Sequence, residues 1–324
     1  MVNGKEDRFF NCDSITGCPR EIETGSVDLV ITDPPYGIAG ETLHKHYHRK
    51  EEYVLEGYTE IPQDEYPRFS RAWIREAERI LKPGGSLYIV SGYTNLVHIL
   101  NALQETALTE MNHLIWKYNF GVYTKNKYVT SHYHILFYVK PGGRHTFHTY
   151  CRYGQTEKDE EAGALNYLDR EDVWIINREY KPGQIKNKNT LPQPLLIKLL
   201  QYSSNEGDVV CDLFLGSFAT AKAAIGLNRY AWGFEINPQA YEYHLQEVKN
   251  VKRGSLLESL RQPEQGMLFN QGEPWTDEDL LALRNQYDDL HGTGLSKRKA
   301  IDALSAKWGR GYFSILNALQ KVGR

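Results

Sequence analysis

The residues most able to do chemistry stand together at Asp33-Pro34-Pro35-Tyr36. They follow the β-branched run Val27–Thr32, so they are predicted to lie at the carboxyl end of a buried strand, where open α/β sheets bind ligands. The Asp33 carboxylate and the Pro34 carbonyl can accept both hydrogens of an exocyclic amino group, and Tyr36 offers a face on which a base can stack. This arrangement predicts a clamp for a planar amine, and the alternative is a proline turn that carries an exposed aspartate.

A second group of residues is typical of a cofactor site. Asp212–Thr220 reads as a strand end followed by a tight turn at Gly216 and Ser217, which lets backbone approach a ligand closely. The turn lacks the GxGxxG pattern of dinucleotide folds and the GK[ST] of phosphate loops. Glu235 ends the next strand roughly 20 residues on, where an acid typically holds ribose hydroxyls. Taken alone, a generic βαβ unit explains this pair equally well.

Alternating strands and helices must position these two groups. Apolar runs predict strands at Val27–Thr32, Ser86–Val90, 113–117, His134–Val139, Asp208–Phe214 and Tyr230–Ile236, and helices at Asp64–Leu81, 94–107, Leu191–Ser203 and Ala219–Leu227. This alternation predicts an α/β domain with a mostly parallel sheet. Residues 38–62 show no apolar period and are interpreted as a loop or a mobile lid.

Together these motifs resemble the amino-group DNA methyltransferases that use S-adenosylmethionine. The resemblance covers about residues 8–250: Asp33–Tyr36 matches the catalytic motif, Asp212–Thr220 the cofactor loop and Gly233–Glu235 the ribose-binding strand end. Because the catalytic motif precedes the cofactor loop, the order resembles the permuted β class, with a Rossmann-like sheet. The catalytic residues implied are Asp33, Pro34, Pro35 and Tyr36, and the cofactor residues implied are Asp13, Thr190, Pro192, Asp212, Phe214, Gly216, Ser217, Phe218, Glu235 and Asn237.

The cofactor loop departs from the family pattern at two positions. Leu213 replaces the usual proline, and Phe218 replaces the last glycine and is expected to pack against the cofactor or the sheet. An aspartate as the first catalytic residue implies, by resemblance, adenine-N6 as the methyl acceptor. Cytosine-N4 methylation, RNA as the substrate, and a DNA-binding protein without catalytic activity are the alternatives.

Charge is distributed unevenly along the chain. The net charge of −3 argues against a nucleic-acid partner when taken alone, yet residues 117–153 hold six Lys and Arg, no acid and ten aromatic residues. This composition suits phosphate contacts and base stacking, and the alternative is a pair of Tyr-rich strands with solvated lysines. The predicted DNA contacts here are Asn119, Phe120, Lys125, Lys127 and Arg144. Phe120 could equally be a core residue.

The C-terminal segment is helical in pattern and basic. Residues 290–324 hold seven Lys and Arg against one acid, and three short helices are predicted, with tryptophans in their core. The pattern resembles a Myb-like or helix-turn-helix module that contacts DNA through Lys297, Arg298, Lys299 and Arg310. A helical appendage for dimerisation or packing is the alternative. The predicted organisation is a methyltransferase domain at 1–262 with a target-recognition segment at about 118–188, a linker at 263–273 and the helical module at 274–324.

Hydropathy and cysteine spacing bear on the location of the protein and on metal binding. No apolar run approaches the ~18 residues of a spanning helix, and the four cysteines form no CxxC pair, so we expect a cytoplasmic protein without a metal site. The predicted function is site-specific adenine-N6 methylation of duplex DNA, in restriction-modification or as an orphan enzyme. A homodimer is expected from the resemblance to the permuted β class, association with the nucleoid is expected for the location, and a restriction endonuclease partner is left open.

Overall fold

The computed structural model describes residues 5–35, 61–119, 121, 123, 125–178, 190–263 and 274–324. The chain divides into two compact units: one combines Met1–Cys151 with Arg170–Arg261, and the other combines Arg152–Asp169 with Gln262–Arg324. Residues 152–169, which the sequence analysis places in the target-recognition segment, therefore group with the C-terminal helices. Most of the predicted loop 38–62 and linker 263–273 lies outside the described residues.

The described strands form one sheet in the first unit. They are β1 Arg8–Phe10, β2 Val27–Thr32, β3 Leu81–Ser91, β4 Thr109–Lys117, β5 His132–Val139, β6 Val173–Ile175, β7 Val209–Asp212 and β8 Tyr230–Phe234. The described helices are α1 Ser14–Glu21, α2 Tyr66–Ile80, α3 Leu96–Gln104, α4 Leu165–Leu168, α5 Gln193–Ser203, α6 Ala219–Gly226, α7 Pro238–Lys249, α8 Asp277–Gly292, α9 Lys297–Trp308 and α10 Tyr312–Lys321.

The order of the strands across the sheet is β1-β8-β7-β2-β3-β5-β4-β6. Among these strands β5 alone runs antiparallel to its neighbours, so the carboxyl ends of the others meet at one edge. We call this edge the carboxyl edge. Although β2 and β7 are far apart in sequence, they are neighbours, with Leu29 paired to Val210 and Val30 to Cys211. The mostly parallel, Rossmann-like sheet with permuted motif order is confirmed.

Apolar residues cover both faces of the sheet. Along β3 the side chains alternate, so that Leu87 and Ile89 join a core cluster with α1, α2 and α3. Tyr88 and Val90 join the opposite cluster, which includes residues of α5, α6 and α7. The sheet is therefore a buried central layer between two layers of helices, which fixes the positions of its strand ends.

Several elements differ from the prediction. The sequence predicts a strand that begins at Ser86, whereas β3 begins at Leu81, because Gly84 N–H donates to Lys140 O and Lys140 N–H donates to Gly85 O. Strands β1 and β6 were not predicted. Each has three residues, too few to show an alternating pattern.

The second unit has a core of its own. Helices α8, α9 and α10 bury Leu283, Ile301, Leu304, Ile315 and Leu319 against one another. Thr276 caps α8, and its side chain and that of Asp279 each accept the other residue's backbone N–H. The three predicted C-terminal helices are present.

Candidate active site

The two groups singled out in the sequence meet at the carboxyl edge. Thr32, the last residue of β2, donates its hydroxyl to Asp212 Oδ1 at 2.9 Å, and both side chains are buried. Asp212 is the last residue of β7. One hydrogen bond therefore joins the strand that leads into Asp33 to the strand that leads into the cofactor turn, which we define as residues 212–217.

Residues 33–35 follow β2 at this edge without regular secondary structure, and we call this segment the catalytic turn. Pro34 is buried, and Asp33 and Pro35 are partly buried. Tyr36, predicted to stack on the base, lies outside the described residues. Tyr66, at the start of α2 and 1% exposed, donates its hydroxyl to Pro35 O at 2.8 Å. Nothing in the sequence pattern pointed to Tyr66, because the contact spans 31 residues.

Aromatic side chains of α2 connect the catalytic turn to the cofactor turn. The ring centroids of Tyr66 and Phe69 lie 5.7 Å apart, and Phe69 lies 5.7 Å from Phe214. Trp73 meets Phe214 edge-on at 5.7 Å. Helix α2 therefore contacts both turns through adjacent side chains.

Asp212 stabilises the cofactor turn through hydrogen bonds to its side chain. Besides Thr32, its Oδ1 accepts the Phe214 N–H at 3.0 Å. Burial raises the pKa of Asp212 to about 6 because the charged form loses its hydration. At 4% exposed, this carboxyl stabilises the turn from its buried side.

Glu235 links the cofactor turn to the end of β8. Its Oε2 accepts the Gly216 N–H at 2.9 Å and its Oε1 accepts the Asn237 N–H at 2.8 Å. Burial raises the pKa of Glu235 above its usual range. Gly216 has φ of 51°, and a Cβ placed on it would meet nothing closer among the described residues than Phe214 O at 3.9 Å. Within the described part of the chain, the turn is therefore open above Gly216, beside a partly buried carboxylate.

Two further predicted cofactor residues lie at the same edge and cap helices. Asp13 Oδ1 accepts the Thr16 N–H at 2.9 Å at the start of α1. Asn237 Oδ1 accepts backbone N–H groups at the start of α7. Asn11 Nδ2 donates to Glu235 O at 2.7 Å, which ties the end of β1 to the end of β8.

Phe218 corrects one prediction. Its side chain is 0% exposed, with ring centroids 5.4 Å from Phe9, 6.0 Å from Tyr241 and 6.1 Å from His244. The sequence predicts that Phe218 packs against the cofactor or the sheet, and in the structure it packs in the core between the sheet and α7. The side chain therefore stabilises the fold and is not available to a cofactor.

Thr190 and Pro192 lie where α5 begins. Thr190 is exposed, and the buried Pro192 is the N-cap residue. Helix α5 packs on α6, the helix that follows the cofactor turn. The contact of Thr190 and Pro192 with a cofactor stays a prediction.

Comparisons with known proteins agree with this arrangement. The family model described as DNA methylase matches residues 27–246, which is more than half of the chain. This chain belongs to the DNA methylase family. Its relatives include the type II methyltransferase M.HpaI of Haemophilus parainfluenzae, 28% identical over 243 residues that cover 73% of this chain and 72% of that protein.

Two further relatives are informative. The DNA adenine methyltransferase YhdJ of Escherichia coli (strain K12) is 27% identical over 259 residues, which cover 72% of this chain and 84% of that protein. A Thermus thermophilus protein solved in complex with S-adenosyl-L-methionine has a TM-score of 0.51 and 23% identity, and the match covers 76% of this chain and 94% of that one. At this identity the structural likeness concerns the fold.

Some predicted DNA contacts of this DNA methylase lie at the carboxyl edge. Asn119 is exposed just beyond the end of β4, and Lys125 and Lys127 are exposed in the connection from β4 to β5. Phe120 lies outside the described residues. Beyond the end of β6, the guanidinium of Arg178 packs 4.6 Å from the Tyr118 ring centroid and 5.1 Å from that of Tyr133.

Arg144 is placed elsewhere. It follows β5, which runs antiparallel, and its backbone packs on Gly84 near the start of β3. Arg144 therefore lies at the opposite edge of the sheet, and its grouping with Lys125 and Lys127 is wrong. Lys140, counted in the same basic segment, donates to the carbonyls of Glu78 and Leu81 and so stabilises the fold.

The C-terminal unit brings a second correction. Lys297, Arg298 and Lys299 are exposed, as a DNA contact requires. Arg310 is 5% exposed, and its guanidinium lies 4.2 Å from the Trp275 ring centroid. Arg310 therefore belongs to the core of this unit and is not a DNA contact.

No group of three or more His, Cys, Asp or Glu side chains in the described part of the chain is arranged to hold a metal ion. Within the same residues, every helix is too short or too polar to cross a membrane.

Proposed function

We propose that this chain is a DNA adenine-N6 methyltransferase that uses S-adenosylmethionine. The observation that carries the proposal is the hydrogen bond from Thr32 to Asp212, which holds the catalytic turn and the cofactor turn side by side. Membership of the DNA methylase family supports it, as do the name of the relative YhdJ and the cofactor bound to the Thermus thermophilus protein.

The catalytic turn holds the amino group. An adenine flipped out of the duplex presents its N6 hydrogens to the Asp33 carboxylate and the Pro34 carbonyl, and Tyr36 stacks on the base. Accepting both hydrogens turns the nitrogen lone pair away from conjugation with the ring. The Asp33 carboxylate also stabilises the positive charge that develops on the nitrogen as it attacks. Pro35 O is engaged by Tyr66, which fixes the turn.

The cofactor turn fits S-adenosylmethionine. Gly216 leaves room for close approach. The Glu235 carboxylate accepts the Gly216 and Asn237 N–H groups, and its two oxygens offer about four acceptor sites, so capacity remains for ribose hydroxyls. When bound, the cofactor supplies an electrophilic methyl group on a sulfonium. The residues proposed to surround it are Asp13, Thr190, Pro192, Phe214, Gly216, Ser217, Glu235 and Asn237.

The DNA lies, in this proposal, against the carboxyl edge, where Asn119, Lys125 and Lys127 contact the strands around the flipped base. We also propose a homodimer that associates with the nucleoid and acts with a restriction endonuclease or alone. The homodimer follows from the resemblance to the permuted β class.

Methyl transfer from labelled S-adenosylmethionine to duplex DNA tests the proposal. Asp33→Ala removes one of the two acceptors of the amino group and is expected to lower the rate about 100-fold or more. Asp64→Ala, an exposed aspartate just before α2, is the matched control and is expected to keep the wild-type rate. Full activity of Asp33→Ala would overturn the assignment, and wild-type protein that binds DNA without transferring methyl groups would favour a DNA-binding protein.

A further inference from the structure

The C-terminal unit contains two helices joined by a short, rigid turn. Helix α9 ends at Trp308, and α10 begins at Tyr312, so Gly309, Arg310 and Gly311 form the connection. Gly309 has φ of 58°, a left-handed conformation that glycine adopts without strain. Arg310 packs on Trp275, which in turn contacts Trp308 at a centroid distance of 5.4 Å. A three-residue turn of this kind between two helices is the framework of a helix-turn-helix.

We propose that α10 is a recognition helix that binds the major groove of duplex DNA, in a different compact unit from the catalytic turn. Its inner face is fixed, because Ile315, Ala318 and Leu319 are buried against α8 and α9. Its outer face carries side chains that packing does not require. These are Phe313, which is 73% exposed, and the exposed Asn317, Gln320 and Lys321.

The outer face of α10 has the chemistry of base recognition. Phe313, Asn317 and Gln320 are spaced by four and three residues, so they lie along one side of the helix. Asn and Gln side chains can donate to and accept from the adenine edge in the major groove, and an aromatic side chain can contact the thymine methyl group. Residues 312–321 include no acid that would repel phosphate.

Basic and acidic residues lie mostly on different helices of this unit. Exposed cations stand on α9 and α10 at Lys297, Arg298, Lys299, Lys307 and Lys321, against the single acid Asp302. Helix α8 instead carries Asp277, Glu278, Asp279, Asp288 and Asp289. This separation is complementary to a polyanion that lies along α9 and α10, and it disfavours α8 as the DNA-binding face.

The test compares paired variants of the full-length chain. Phe313→Ala/Asn317→Ala alters the outer face of α10, and Leu281→Ala/Asn285→Ala changes an exposed apolar residue and an exposed Asn, with the same spacing, on α8. Affinity is measured by fluorescence anisotropy with a fluorescein-labelled 30-base-pair duplex of mixed sequence. A randomised duplex library selected on each protein reports sequence preference.

We expect the α10 variant to bind about 10-fold more weakly and to lose preference at two or more positions of the selected sequence, while the α8 variant matches the wild type. Lys297→Ser/Arg298→Ser/Lys299→Ser is expected to reduce the salt dependence of binding without changing the preference. Equal affinity and preference for the α10 and α8 variants would overturn the proposal. So would a change in mass by sedimentation with unaltered DNA binding, which would identify α10 as an assembly surface. The same measurements on Asp33→Ala separate this proposal from the methyl-transfer proposal. That variant is expected to keep the contribution of α10 to DNA affinity and sequence preference while it loses methyl transfer.

Discussion

At the scale of single residues, Tyr66 determines how firmly the catalytic turn is held. Its buried hydroxyl donates to Pro35 O, the carbonyl next to the Pro34 carbonyl that is proposed to accept the amino group. A small displacement of such an acceptor costs rate, because transfer depends on the alignment of the reacting atoms.

Tyr66→Phe is therefore expected to lower the methyl-transfer rate about 10-fold while leaving the affinity for S-adenosylmethionine unchanged. The matched control is Tyr88→Phe, since Tyr88 is also buried and its hydroxyl hydrogen-bonds to Ser203 at 2.7 Å. Both variants lose one buried hydrogen bond, about 1 kcal/mol of stability. Single-turnover kinetics measures the effect on methyl transfer, and thermal unfolding measures the effect on stability. Equal transfer rates for the two variants would show that Tyr66 has a structural role only.

Asp212 makes the stability of the fold depend on pH. Its folded-state pKa of about 6 lies above the ordinary 3.8, so folding favours the protonated carboxyl, and stability is lost as pH rises through about 6. Asp212→Asn keeps an acceptor for Thr32 and Phe214 and does not titrate. Relative to this variant, the wild type is expected to lose about 2 kcal/mol between pH 4.5 and 7 in urea unfolding. A difference between the two proteins that stays constant across this range would contradict the effect.

At the scale of elements, the close approach of β7 and β8 sets the geometry of the cofactor turn. A Cβ on Gly233 would lie 2.4 Å from Asp212 O and 2.7 Å from Leu215 Cγ, so backbone or core would have to move. Gly233→Ala is expected to destabilise the protein by about 2 kcal/mol or more and to weaken binding of S-adenosylmethionine. Gly292→Ala lies at the end of α8, where the new methyl group would meet no described atom within 4 Å outside its own helix, and it is expected to be neutral or stabilising. Calorimetry of thermal unfolding and of cofactor binding measures both effects, and a Gly233→Ala protein as stable as the wild type would contradict the prediction.

Sequence reasoning worked where one stretch of chain determines the structure. The apolar runs of β2 and β5 were sufficient to predict these two strands, and the amine clamp of the catalytic turn stays a prediction. It failed where distant segments meet. The contact of Tyr66 with Pro35, the burial of Arg310 on Trp275 and the position of Arg144 beyond the antiparallel β5 each depend on how the elements pack.

At the scale of the whole molecule, the distribution of charge matters more than its sum. The net charge of −3 includes basic residues that contribute only to the fold, such as Lys140, and others that are exposed at the carboxyl edge and on α9 and α10. Each compact unit thus presents exposed cations beside side chains suited to contact bases. A DNA duplex is the partner that this distribution fits.

The most direct test of the central claim is to identify the methylated nucleoside. Purified full-length protein, S-adenosylmethionine and duplex DNA are incubated, and the DNA is digested and analysed by mass spectrometry, with Asp33→Ala as the control. The account predicts N6-methyladenine with the wild-type protein and none above background with Asp33→Ala. N4-methylcytosine in place of N6-methyladenine, or no methylated nucleoside at all, would contradict it.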